Sequence, residues 1–386
     1  MPQVTLGQLS DTRRNNFDFL RFFFASLVIF SHSYVLLNPD GNATEPGARL
    51  TSMKMDFGSL AVAGFFAISG FLITQSWQRT DRLTDYLKKR ALRIYPGWIA
   101  ALLFGVFIAA PFLRPHHRLE MGLGTLDYLS QLALYHIGVS LDGLDKSLPG
   151  VGGVNSSTWT IPFEVLCYLL VALLGLLGLF RRRAAILLPA LALLIYCALP
   201  KHTQFFPFGP LGPSINGLQV PYFGNLRTLP ILTVYFLSGM MYYLFRERIP
   251  HSPWLLGGSL LLLGLSLWHL PLAPFFFVIL PTFGFYALFY LAFLPLGRLY
   301  AFAKHGDLSY GIYLYAFPIQ RLLILEQFRG YHLAPLTLFL AAWVLACGAA
   351  VLSWRFVERP FLRLKPRSPL PPAESVGVPA VSAVEV

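Results

Sequence analysis

The chain has 386 residues, of which 55% are hydrophobic and only 12% charged, about half the charged share of an ordinary soluble domain. That excludes a typical soluble enzyme: one helical crossing of a ~30 Å hydrocarbon core uses ~20 apolar residues, so the apolar supply suits about ten crossings. The 30 basic against 18 acidic residues form no long basic stripe on a solvated domain, which argues against nucleic acid and for membrane orientation.

Ten apolar windows predict an all-α polytopic membrane helix bundle, near residues 17–37, 58–77, 94–113, 157–179, 184–199, 226–245, 253–270, 272–295, 307–327 and 334–356. The first follows Arg13 and Arg14, as a signal peptide would, but it is too long for one and lacks a small-x-small cleavage site. It reads as a retained span. The fifth window is short, and Pro271 and Pro281 blur the seventh and eighth. Long loops fall at about 38–57 and 114–156, and Tyr128 to Val139 in the second reads as an interfacial or re-entrant helix. Residues 1–16 are then a cytoplasmic N-terminus, 17–361 the membrane domain, and 362–386 a basic, then disordered, cytoplasmic tail. With both ends inside, 20 Lys and Arg lie in cytoplasmic segments and 8 outside, so an N-in, C-in bundle is expected. Cys167, Cys197 and Cys347 sit in apolar runs without metal-ligand spacing, so neither a disulfide framework nor a metal site is expected.

Ionisable groups inside spans cost at least ~2.5–3.5 kcal/mol on insertion scales and need a partner or a task. In the first span these are Asp18, Arg21 and His32, and in the fourth Glu164. Arg21 and His32 are eleven residues apart, which brings a helix back to within about 20° of the same face and about 16 Å along its axis. Counting from the expected surfaces puts His32 about 22 Å above the inner one and Glu164 about 10 Å below the outer one. The two would then sit at similar depth, where a carboxylate can orient an imidazole as a general base. The plainer readings are an interhelical hydrogen bond for His32 and a snorkelling Arg21. Arg90 and Arg93, at the cytoplasmic entry of the third span, share a helix face and suit phosphate oxygens, or else simple positive-inside anchoring. Gly64, Ala67 and Gly70 recur every three residues, as close helix packing requires. Tyr310 and Tyr313 read either as interfacial aromatics or as hydroxyls reaching a site.

Six motifs in order resemble the acyltransferase type three family of bacterial integral-membrane acyltransferases. They are Phe-Leu-Arg21 with His32 after ten residues, Gly64-Phe-Phe-Ala-Ile-Ser69-Gly-Phe-Leu-Ile, and Arg90-x-x-Arg93-Ile-Tyr-Pro. Ser157-Thr-Trp159-Thr-Ile-Pro-Phe-Glu164-x3-Tyr168, Ser309-Tyr310-Gly-Ile-Tyr313-Leu and Phe356-Val-Glu-Arg-Pro-Phe361 complete the set. One departure is Ala316, where the family often has His. Relatives with a further esterase-like domain extend well past this point, whereas about 25 residues follow Phe361, so a stand-alone membrane enzyme is expected.

The resemblance implies an O-acyltransferase of the bacterial inner membrane that uses cytoplasmic acyl-CoA, usually acetyl-CoA, as co-substrate, with no bound cofactor. The acceptor would be a hydroxyl of a cell-envelope or exported glycan, often lipid-linked. Arg21, Arg90 and Arg93 would hold the acyl-CoA, and His32, oriented by Glu164, would act as acyl carrier or base. Ser69, Trp159, Tyr168, Tyr310 and Tyr313 would support them. The competing expectation is a proton-coupled sugar or glycan transporter or flippase working through His32 and Glu164. Oligomeric state leaves no signal in the sequence.

Overall fold

The computed structural model describes residues 4–10, 15–38, 41–113, 154–199, 228–268, 275–297, 299–300, 302, 306–325 and 332–366. The described residues are helical, with no strand among them beyond an isolated bridge between Thr5 and Pro250. Each of the ten apolar windows carries a helix. Six are long and apolar enough to cross a membrane: α1 (Phe17–Leu37), α2 (Phe57–Gln78), α3 (Leu83–Leu113), α4 (Ser156–Leu176), α8 (Phe276–Phe293) and α10 (Pro335–Leu362). The others are shorter, at 15 or 16 residues: α5 (Arg183–Ala198), α6 (Leu229–Leu244), α7 (Pro253–Leu267) and α9 (Ser309–Ile324). The segment Tyr128 to Val139 and the tail beyond Pro366 lie outside the described residues.

Local chemistry sets the helix starts. The Asp56 carboxylate accepts from Ser59 N at 2.6 Å and caps α2. Proline stands in the first turn of the helical parts of α4, α6, α7 and α10, where a missing N–H costs nothing. Two ends differ from the apolar windows. The third helix begins at Leu83 rather than near 94, so Arg90 and Arg93 sit well inside it, and the last runs on to Leu362. Windows of apolar residues miss such ends, because a partly charged turn stays helical when one face is buried, as Tyr86 and Lys89 are.

Small residues let the bundle close. A Cβ on Gly70 would lie 1.9 Å from Phe236 O, one on Gly239 1.9 Å from Ala67 O, and one on Gly64 2.3 Å from Phe24. The Gly64–Ala67–Gly70 stripe of α2 therefore packs against both α6 and α1.

Contacts also bring both described ends of the chain to one end of the bundle. Leu6 N donates to Ile249 O at 2.9 Å, Gly7 N to Arg246 O at 2.9 Å, and the Asn16 amide to Leu291 O and Leu294 O at 2.9 and 2.8 Å. Tyr243 OH donates to Gln78 at 3.0 Å, and Lys365 shares a cavity wall with Arg21 and Arg93. Arg79, Arg182, Arg246 and Arg248 lie in the turns at this same end. We refer to it as the arginine-bearing end.

Candidate active site

A cavity of about 350 Å³ opens among α1, α2, α3, α4, α9 and the end of α10. Four cations line it: Arg21 from α1, Arg90 and Arg93 from α3, and Lys365 just past α10. Against them stand two carboxylates, Glu164 from α4 and Asp307 from the turn before α9. The opposite part of the wall is apolar, with Val62, Phe65 and Phe66 of α2 and Ile161 of α4. From Val62 to Ile73 the wall spans eleven residues of α2, about 16 Å of helix axis.

Asp307 organises the cations. It bonds Arg93 closely, lies 3.4 Å from Arg21, and accepts from Ser309 N at 3.1 Å, which seats it at the start of α9. Gly306 precedes it at φ 113°, with Trp354 filling the space a Cβ would need. Burial raises the Asp307 carboxyl, but Arg93 and Arg21 outweigh that and hold it below its ordinary range. Arg93 also pairs with the buried Glu358 at 3.6 Å and Arg21 with Asp18 at 3.4 Å. Arg90 differs. It donates to Ser76 Oγ at 3.3 Å and covers the rings of Tyr86 and Tyr168, but its buried Nε has no partner and no carboxylate pairs with it among the described residues. Burial, with Arg93 and Arg90 nearby, lowers the Lys365 amine to about 8. The cavity thus carries more positive than negative charge, and two of its cations have no acidic partner among the described residues.

The supporting residues divide. Ser69 Oγ donates to Glu164 at 3.3 Å, and Tyr168 OH bonds the same carboxylate oxygen. The rings of Tyr310 and Tyr313 line the cavity, while their hydroxyls tie the bundle: Tyr310 OH donates to Ile94 O at 2.9 Å and Tyr313 OH meets Thr160 Oγ1 at 2.7 Å. Trp159 stands edge-on to Phe163, outside the cavity wall. Ala316 is buried in the core.

The expected pairing of His32 with Glu164 does not form. Phe17 packs on Phe71, Phe24 on Gly64 and Phe30 on Phe57, so paired residues of the antiparallel helices α1 and α2 have numbers summing to 87 or 88. His32 is therefore level with Asp56, at the very start of α2. Glu164 meets Ser69, thirteen residues further along α2, which separates the two by about 20 Å of axis. The His32 ring packs edge-on against Phe317, and its buried Nδ1 has no partner among the described residues. The misjudged depth has a physical cause. The fourth span starts inside the bundle rather than at the surface, because Asn155 donates to Leu314 O at 2.8 Å in the middle of α9 and a 3₁₀ turn follows at Ser156–Thr160. The proton relay of the transporter reading loses its link by the same finding. His32 nevertheless shares a face of α1 with Arg21, and stands six residues, about 9 Å, beyond the level of Val62 at the apolar end of the cavity.

Asp307, Glu358 and Lys365 are the site residues that sequence reasoning missed. Asp307 had a local signal, an Asp two residues before a helix-starting Ser, which is an Asx-turn pattern.

Fold and site together define a multi-pass membrane protein with a charged cavity reaching into its helix bundle. The chain belongs to the acyltransferase domain family, whose model matches residues 14–355. It is 27% identical to Nodulation protein 10 of Rhizobium leguminosarum bv. viciae over 373 residues, covering 92% of this chain and 95% of that one. It is 26% identical to an O-acetyl transferase of Shigella phage Sf6 over 369 residues, covering 91% and 96%. No solved structure matches it. The chain is thus an enzyme of the acyltransferase class built as a membrane helix bundle.

Proposed function

We propose that the protein moves an acyl group, acetyl in the first instance, from cytoplasmic acyl-CoA to a hydroxyl of an envelope or exported glycan, in the bacterial inner membrane. The observation that carries this reading is the cavity itself: a floor of Arg21, Arg90, Arg93 and Lys365 beneath walls of Val62, Phe65 and Phe66. A CoA thioester has the same polarity, phosphates at one end and a long, weakly polar arm at the other, so charge-assisted bonds at the floor leave the arm to run up the apolar wall. The excess of Lys and Arg at this end supports a cytoplasmic mouth, where acyl-CoA is available.

His32 stands on the same face of α1 beyond the apolar end. In this reading its imidazole takes the acyl group or the acceptor proton. In the first case a ring nitrogen attacks the thioester carbon, thiolate leaves, and the acceptor oxygen later displaces the imidazole. In the second the acceptor oxygen attacks the thioester carbon directly while His32 takes its proton, and the C–S bond breaks to release the CoA thiolate, which that proton can then neutralise. Glu164, tied to Ser69 and Tyr168, belongs to the donor cavity rather than to the imidazole. The test is purified protein in lipid with radiolabelled acetyl-CoA and an envelope glycan fraction, wild type beside His32→Ala. Label transfer that depends on His32 is the expected result. Full transfer by folded His32→Ala refutes the role of the imidazole, and absence of acetyl-CoA turnover in folded wild type refutes the donor.

A further inference from the structure

A second cavity, of about 440 Å³, lies on the other side of α6, among α5, α6, α7 and α8. Its walls are almost wholly apolar, with Leu187, Leu191 and Leu194 on one side and Leu255 and Phe283 on the other. Four of the five hydroxyls that border it, all but that of Ser259, are turned into the protein. Ser238 donates to Pro281 O, Tyr242 to Thr282 O, Thr282 to Val278 O at 2.6 Å and Tyr286 to Pro250 O at 2.8 Å. The first two carbonyls belong to the π turn Leu280–Gly284, which frees them from the regular helical ladder. Apart from Ser259 and the Arg248 guanidinium at its mouth, the slot therefore has few polar groups to offer a sugar or a nucleotide.

Its dimensions fit one leaflet. Along α6 it runs from Val234 to Phe245, eleven residues and about 16 Å, against ~15 Å for half of a hydrocarbon core. At the arginine-bearing end it finishes at Arg248, which is exposed and has no acidic partner among the described residues; the neighbouring Glu247 is held by Arg246 at 3.4 Å. Arg183, over the ring of Phe245, adds a second cation to the rim.

We propose that this slot is a binding site for an anionic glycerophospholipid of the leaflet at the arginine-bearing end, with one acyl chain between α5 and α7 and the headgroup phosphate on Arg248. The apolar walls supply chain affinity, and the unpaired guanidinium at the mouth supplies preference for negative charge. This site is separate from the acyl-donor cavity and does not depend on the reaction proposed for it.

The test uses the full chain in a mild non-ionic detergent, loaded with an equimolar mixture of phosphatidylglycerol and phosphatidylcholine of equal chain length and read by native mass spectrometry. One phosphatidylglycerol should be retained in preference by about fivefold, the share of one basic group near an anionic headgroup. Arg248→Gln, a surface change that leaves the fold intact, should cut the preference towards parity, leaving only what Arg183 supplies, and Ala190→Phe, which fills the slot, should remove both. Equal retention by the wild type, or an unchanged preference in Arg248→Gln, overturns the proposal whether or not Ala190→Phe folds. Displacement of phosphatidylglycerol by an equimolar polyprenyl phosphate overturns it in favour of that lipid.

Discussion

Replacing Asp307 with Asn removes the one carboxylate that touches both Arg21 and Arg93 while keeping the size of the side chain. The Arg21 contact alone, at 3.4 Å, is a gross attraction of about 5 kcal/mol at an effective dielectric of 20. Desolvation offsets much of that, and breaking a buried pair from one side costs about 3–5 kcal/mol in general. Here the side chains of Asp307, Arg21 and Arg93 retain 15%, 22% and 20% exposure, and Arg93 and Arg21 keep Glu358 and Asp18. The expected loss is therefore below that range, about 2–3 kcal/mol at neutral pH. The sign with pH follows from the depressed carboxyl: its contribution is complete above the unfolded value near 3.8 and disappears as pH falls through the lower folded value. Thermal unfolding in detergent from pH 3 to 7 reads this, and the Asp307→Asn protein should lose the acid-dependent part of the transition. Pairing the change with Arg21→Gln should give a non-additive cycle. On the proposed donor reading, the loosened Arg93 also raises KM for acetyl-CoA about tenfold, equivalent to about 1.4 kcal/mol. Wild-type stability at neutral pH in a folded Asp307→Asn variant refutes the reasoning about the cluster, and an unchanged KM refutes its link to the donor.

Two further outcomes are expected. Gly70→Ala should destabilise the bundle by about 1–3 kcal/mol, because its Cβ would lie 1.9 Å from Phe236 O; Gly258→Ala, where a Cβ meets nothing within 4 Å, should instead be neutral or gain up to about 1 kcal/mol, as ranked by thermal unfolding of both beside wild type. Lys365, with its amine lowered to about 8, should make KM for acetyl-CoA rise as pH climbs from 7 to 9, and Lys365→Arg should flatten that rise while Lys365→Gln shows the high value throughout; a wild-type KM independent of pH over this range counts against Lys365 as a donor contact.

Much of the bundle is legible in the sequence because a helix repeats its own geometry. Eleven residues return to one face, so Arg21 and His32 align on α1, and small residues spaced by three on α2 mark where backbones meet. The depth of Glu164 was not legible, since it depends on where the chain first enters the bundle. Asn155 fixes that point through a carbonyl of α9, 159 residues away, and no window of local composition carries such a contact. Asp307 escaped for a related reason. Its partners Arg93 and Arg21 are 214 and 286 residues distant, so its role exists only once α1, α3 and α9 converge. The hydroxyls of Tyr310 and Tyr313 were ambiguous in the sequence, and the fold uses them as ties across helices while their rings face the cavity.

The separation of His32 from Glu164 changes how the proposed reaction divides along the membrane normal. Were the two paired, donor and acceptor would have to meet beside one carboxylate at one depth. With Glu164 held by Ser69 and Tyr168 beside the cations, the carboxylate and the imidazole lie at different levels of α2, so on the proposed reading they act apart. α1 connects those levels. Between Arg21 and His32 its common face carries Ala25 and Val28, both buried in the core. On the proposed reading, an arm anchored at the arginine floor would have to displace this packing to reach the imidazole, beside the edge contact of Phe65 with Tyr313. A proton relay through both groups would need His32 and Glu164 within reach of one another, and their separation by about 20 Å of helix axis removes that contact.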